Sequence, residues 1–176
     1  AAKGYSNEYK NAGIFIGRFT SEIRKKYCIS EKNLKILLVP GNHDINFGNM
    51  KRATPEEIRG YSDEEKEINL RQEIKQMKDF FCYASGNKCF FAEDEVPYGQ
   101  LVTRKILHFD NGYRIEANLL NTAPFSCSAD DGLHYLPEDV IQRLSEPSAA
   151  DISLIVMHHS PDWFGFSQKK ELEGII

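Results

Sequence analysis

The apolar run Lys35-Ile36-Leu37-Leu38-Val39 stops at Pro40-Gly41 and gives way at once to Asn42-His43-Asp44. No other feature limits the fold of this chain as strongly. A short, nearly continuous apolar run closed by a turn signal reads as a strand covered on both faces. In α/β folds the carboxyl end of such a strand is where ligand sites are built. Pro40-Gly41 forces the turn and lets the backbone approach a ligand closely. A second run, Ile152-Ser153-Leu154-Ile155-Val156-Met157, predicts another buried strand, and it too ends in polar groups, His158-His159.

The segments between these runs supply the rest of an α/β layer pattern. Residues 5–27 predict a helix, with Tyr9, Ala12, Ile16, Phe19 and Ile23 on one face. Thr54-Pro55-Glu56-Glu57 carries an N-cap, a proline at the first helical position and a glutamate closing a capping box. Ser62-Asp63-Glu64-Glu65 repeats that logic before a helix with Leu70, Ile74, Met77 and Phe81 on one face, ended by Gly86-Asn87. Its acidic run at 63–67 suits a helix N-terminus rather than a metal cluster. Residues 102–109 and 113–121 predict a hairpin around Asp110-Asn111-Gly112. A loop at 123–134 and a short helix from Pro137 to Leu144 follow.

At 176 residues the chain is one ordinary domain by length, with no repeat, low-complexity tract or splitting linker. Hydrophobic content of 41% with 27% charged residues fits a globular chain rather than a disordered one. No apolar run approaches the roughly 20 residues of a membrane helix, and the opening residues lack a signal-peptide core. A net charge of −4 leaves no global basic footprint for nucleic acid. Cys28, Cys82, Cys89 and Cys127 form no Cys-x-x-Cys pair, so reduced thiols in a cytoplasmic protein are expected.

The polar clusters carry the chemistry. Asn42 offers a neutral carbonyl oxygen, suited to a hard or borderline divalent ion. His43 is a candidate ligand, or a proton donor and charge stabiliser beside a metal. Asp44 is placed to hold that imidazole in one tautomer. The competing reading is a polar turn in which Asn42 and Asp44 satisfy local backbone groups. A histidine pair after a strand is by itself as well explained by an imidazole hydrogen-bonded in the core. Together with Asn42 and His43 it becomes a metal constellation. His108 reads as a sheet-surface residue, Asp130-Asp131 as a solvated turn, and Trp163-Phe164 as packing or as one side of a cleft. His134 is a candidate for lining that cleft.

Val39-Pro40-Gly41-Asn42-His43-Asp44 resembles the Gly-Asn-His-Asp/Glu motif of calcineurin-like metallophosphoesterases. Met157-His158-His159-Ser160-Pro161 looks like that family's next histidine motif, and Leu119-Leu120-Asn121-Thr122 resembles the strand before it. The order and rough spacing of all three agree, and the likeness covers essentially the whole chain, with residues 50–100 least characteristic. The resemblance implies a four-layer α/β/β/α metallophosphoesterase sandwich, two sheets face to face with helices outside. It implies a metal-dependent phosphoric ester hydrolase with two divalent ions (Mn, Fe, Zn or Ni). Asn42 would bind one ion; His43 would contact the phosphoryl group or protonate the leaving oxygen, oriented by Asp44. One of His158 and His159 would bind the same ion as Asn42: His158 if the ligand directly follows the strand, His159 if the alignment is made on Ser160-Pro161. The implied substrate is a phosphodiester, such as a cyclic nucleotide or nucleic acid, or a monoester. The His-His and Asp-Trp context leans towards phosphodiester hydrolysis.

The chain departs from the family at both ends. The family's first-strand Asp-x-His, its Gly-Asp with the bridging carboxylate and its late Gly-His-x-His are not among these residues. Ala1-Ala2-Lys3-Gly4-Tyr5 reads like the loop that follows Gly-Asp, and Gly174-Ile175-Ile176 stops where the strand towards the last motif would begin. Residues 1–176 are therefore expected to be a partial domain, truncated at both ends, with further domains in the same polypeptide and little activity alone. The alternative is a non-catalytic interaction or sensor domain on the same fold.

Overall fold

A computed structural model describes residues 6–46, 48, 53–86, 100–126 and 132–176. At its centre is a three-stranded mixed sheet in the order β1-β2-β3. Strands β1, Val102–His108, and β2, Arg114–Leu120, form the expected hairpin, antiparallel with Val102 opposite Leu120 and His108 opposite Arg114. The turn works because Gly112 takes φ 86°, a conformation that disfavours a side chain. His108 is exposed at the strand end, as its position predicts. The chain then passes through α5, Glu138–Ser145, and returns as β3, Ile152–Met157, parallel to β2. Parallel neighbours need such a crossover. The chain is thus a mixed α/β fold.

Strand β2 is buried from Glu116 onward because it is the central strand. Two polar side chains pass inward with it and are satisfied there. Arg104 Nε stands 2.7 Å from Glu116 Oε1, and its other nitrogens reach Glu146 Oε2 at 2.8 Å and the carbonyls of Glu146 and Pro147 at 3.0 and 2.9 Å. Asn118 Nδ2 donates to Ser153 Oγ at 3.2 Å. Arg104 thus ties β1, β2 and the loop after α5 into one unit.

Both predicted capping boxes form. The Thr54 hydroxyl accepts from Glu57 N at 3.2 Å while Thr54 N donates to Glu57 Oε2 at 2.7 Å, opening α2, Pro55–Gly60. Ser62 and Glu65 do the same at the start of α3, Asp63–Lys75. The continuous helix expected after Ser62 is instead two: α3 ends at Lys75 and α4 runs from Lys78 to Gly86. The break does not spoil the apolar face, since Leu70, Ile74, Met77 and Phe81 are all buried. Each contributes roughly 2 kcal/mol by leaving water. What the break adds is a freed carbonyl: Gln76 O accepts from Asn46 N at 3.1 Å, anchoring the segment after Asn42-His43-Asp44.

Three expectations are corrected. Residues 35–39 are not a sheet strand: none of the described strands pairs with them. The segment is extended at both ends and half-buried, with Leu37, Leu38 and Val39 against the core. Apolar content demands burial, but pairing requires a neighbour that the run itself does not specify. Strand β3 exists but is an edge strand, not a buried one; Ile152 and Leu154 are 46% and 41% exposed. Helix α1, Ser6–Tyr27, faces the protein mainly at its start, where Tyr9 is buried and meets α4; Phe19, placed on the inward stripe, is exposed.

Helix α6, Phe166–Ile175, closes the described chain against α5 and buries Leu172. Cys28 and Cys82 are exposed free thiols. Readings that fall on Ala1–Tyr5, Asn87, Cys89, Cys127 and Asp130-Asp131 lie outside the described residues. No described helix is long and apolar enough to cross a membrane.

Candidate functional site

Asn42-His43-Asp44 folds as a single 3-10 turn entered from Gly41. Asp44 N donates to Gly41 O at 2.9 Å and Gly41 N donates back to Asp44 Oδ2 at 2.8 Å, so the turn closes on itself. The other carboxylate oxygen, Oδ1, accepts from Tyr9 Oη at 2.7 Å. The Tyr9 ring is stacked on Tyr83 at 5.4 Å and set edge-on to Phe80 at 6.3 Å. Burial, the bond to Asp44 and the charge of that carboxylate all push the Tyr9 phenol up. It therefore stays a hydroxyl donor across the working pH range. With Asp44 drawn inward and Ile45 buried, Asn42 and His43 are left at the surface.

The second cluster reaches the first through glycine. A Cβ built on Gly41 would stand 2.9–3.0 Å from three atoms of the His158 ring, closer than real Cβ contacts. Gly41 has φ −115° and ψ −179°, ordinary extended backbone that any residue adopts. Glycine suits this position because the imidazole comes so close; any larger residue would push the His158 ring aside. Residues from two distant stretches thus meet where the sequence puts both polar clusters: His158 is exposed, lies on Gly41, and Asn42 is the next residue along.

His159 has a different setting. It is buried, and both its backbone N and its Nδ1 lie near the Thr122 hydroxyl, at 3.0 and 3.1 Å. Register explains this: Met157 pairs with Leu120 in the parallel ladder, so the residues just beyond, Thr122 and His159, emerge side by side. Of the two alternatives left open by the sequence, His158 is therefore the one facing Gly41-Asn42, and His159 points into the protein.

Tyr9, Thr122 and His134 belong to this region. Tyr9 carried a signal: a hydroxyl-bearing residue in an inward stripe needs a buried partner. His134 is 3% exposed and belongs to the wall of a pocket that also takes in Asp63, Lys66 and Gln168. It lies against His159 with ring centroids 4.2 Å apart. Trp163 is partly exposed and edge-on to both of these imidazoles, while Phe164 is buried packing.

By residue type, an amide oxygen at Asn42 and an imidazole at His158 are donors suited to a first-row divalent ion, and the His158 ring lies where a Cβ of Gly41 would stand. Two such donors would supply part of a coordination sphere. Among the described residues no group of three or more His, Cys, Asp or Glu is arranged to hold a metal. No family model, no curated protein and no solved structure matches this chain.

Proposed function

We propose that this chain is the central part of a metal-dependent phosphoesterase domain of the calcineurin-like type, a four-layer sandwich when complete, acting on a phosphodiester. The observation that carries the reading is the packing of the His158 ring on Gly41, which sets an imidazole beside Asn42. Asn42 and His158 hold one divalent ion, with manganese, iron, zinc and nickel the candidates for the pair of ions. A bound pair acts as a Lewis acid on the phosphoryl oxygens. The chain's own residues do the rest. His43, exposed beside Asn42, holds the proton that the leaving oxygen receives. Asp44 keeps the turn closed, and Tyr9 keeps Asp44 from swinging out to solvent. Trp163 offers a partly exposed aromatic surface to the organic part of the substrate.

The test is hydrolysis of bis-para-nitrophenyl phosphate with Mn2+, measured on the natural polypeptide and on its His43→Ala variant. A proton donor contributes about 10²–10⁴-fold, so the variant should lose at least a hundredfold in kcat. Equal turnover would remove the role assigned to His43. No metal-dependent turnover in the natural polypeptide would favour the non-catalytic interaction domain.

A further inference from the structure

Three imidazoles, His134, His159 and His158, stand in a row behind the Gly41-Asn42 turn, and the phosphoesterase reading uses only the last. We propose that His134 is a positioning residue for His158, acting through the ring of His159. The proposal rests on the phosphoesterase reading only for what His158 binds; the positioning itself is geometric.

The row starts from a fixed point. Thr122 lies in the buried segment after β2, and the backbone there is satisfied. Asn121 N donates to Leu101 O at 2.8 Å, Ala123 N to Asn121 Oδ1 at 3.1 Å, and Phe125 N to the buried Glu73 Oε2 at 2.7 Å. A loop tied to Leu101 and Glu73 and braced from within by Asn121 has little freedom to shift. Thr122 uses its two oxygens on the two inner histidines. Its carbonyl lies 2.8 Å from His134 Nδ1; a carbonyl only accepts, so His134 carries its proton on Nδ1. Its hydroxyl takes the backbone N–H of His159 and lies against Nδ1 of the same residue.

His134 is locked from its backbone as well, donating its N–H to Trp163 O at 3.1 Å. With its ring set, His159 is confined between His134 at 4.2 Å and Trp163 at 5.6 Å. His159 in turn stands edge-on to His158, at 4.6 Å with 89° between the rings. Gly41 bounds His158 too. The orientation of the exposed imidazole is thus set by neighbours traceable to Thr122. Phenylalanine would fill the place of His134 but could not donate to Thr122; asparagine would donate but leave the ring's space empty.

The test uses the natural polypeptide with isotope-labelled histidine, freed of metal by chelation, and the variants His134→Phe and His134→Asn. In the wild type, a nuclear Overhauser contact between the His158 and His159 rings is expected; its absence overturns the proposal, whatever the variants do. In each variant that retains a cooperative thermal transition, the His158 Cε1–H resonance should shift or broaden. Calorimetric titration with Mn2+ should show affinity weakened about tenfold, the lower end of what removing an outer partner of a metal ligand does. An unchanged His158 resonance in a folded variant overturns the proposal. If the wild type binds no Mn2+, the phosphoesterase reading fails separately, and the resonance alone decides the role of His134.

Discussion

The Tyr9 hydroxyl joins the first helix to the candidate site. Tyr9 donates to Asp44, Asp44 accepts from Gly41, and Gly41 carries the His158 ring. Tyr9→Phe removes that hydroxyl and leaves the stack on Tyr83 in place. A hydrogen bond to a charged group contributes about 1.5–3 kcal/mol, so a loss near the lower figure is expected in urea unfolding, since Asp44 keeps its bond to Gly41. The Gly41 amide should also exchange faster with deuterium. Unchanged Gly41 protection would mean that the turn is held without Tyr9. This coupling was only half legible in the sequence. The stripe placed Tyr9 inward, but its partner, Asp44, is 35 residues away, and no local pattern names it. The polar clusters themselves were legible because each closes an apolar run, although only the second of those runs is a strand.

At the level of elements, local chemistry gave the reliable predictions. Capping boxes and the Asp-Asn-Gly turn are decided within four residues, and all three form. The apolar run 35–39 and the exposure of β3 depend on what lies alongside, which hydrophobicity does not encode. The Arg104–Glu116 tie is likewise non-local. Burial alone raises the Glu116 carboxyl; bonds from Arg104, Ser148 and Asn118 outweigh it, and the net shift is downward. The folded state therefore prefers the charged form, a stabilisation complete above the ordinary glutamate pKa near 4.5 and lost as pH falls through the lower folded value. Glu116→Gln removes it. The wild type should exceed Glu116→Gln in unfolding free energy at pH 6, and the difference should shrink between pH 5 and pH 3. Arg104→Ala leaves Glu116 buried without its main partner and should cost about 3 kcal/mol at pH 6.

Across the whole molecule, stability is unevenly spread. The core joins α3 and α4 to the hairpin, the loop at 121–126 and α5, whereas α1 touches it mainly through Tyr9 and its contact with α4. Ile14, Phe15, Phe19 and Tyr27 are exposed along that helix, Phe15 by 67%. Opening free energies follow the density of buried contacts. Amides from Arg18 to Lys26 should therefore exchange well before those of α3 and β2, and equal protection would place α1 in the same cooperative unit. The helix itself was legible from its periodicity. Its exposure was not, because periodicity marks a face without stating how much of it is covered.

The central claim is that Asn42 and His158 hold the same divalent ion. Calorimetric titration of the natural polypeptide with Mn2+, repeated on Asn42→Ala and His158→Ala, tests it most directly. Each substitution should weaken one site by more than about tenfold, since removing a ligand exceeds the loss of an outer partner. Wild-type affinity in both folded variants would contradict the account.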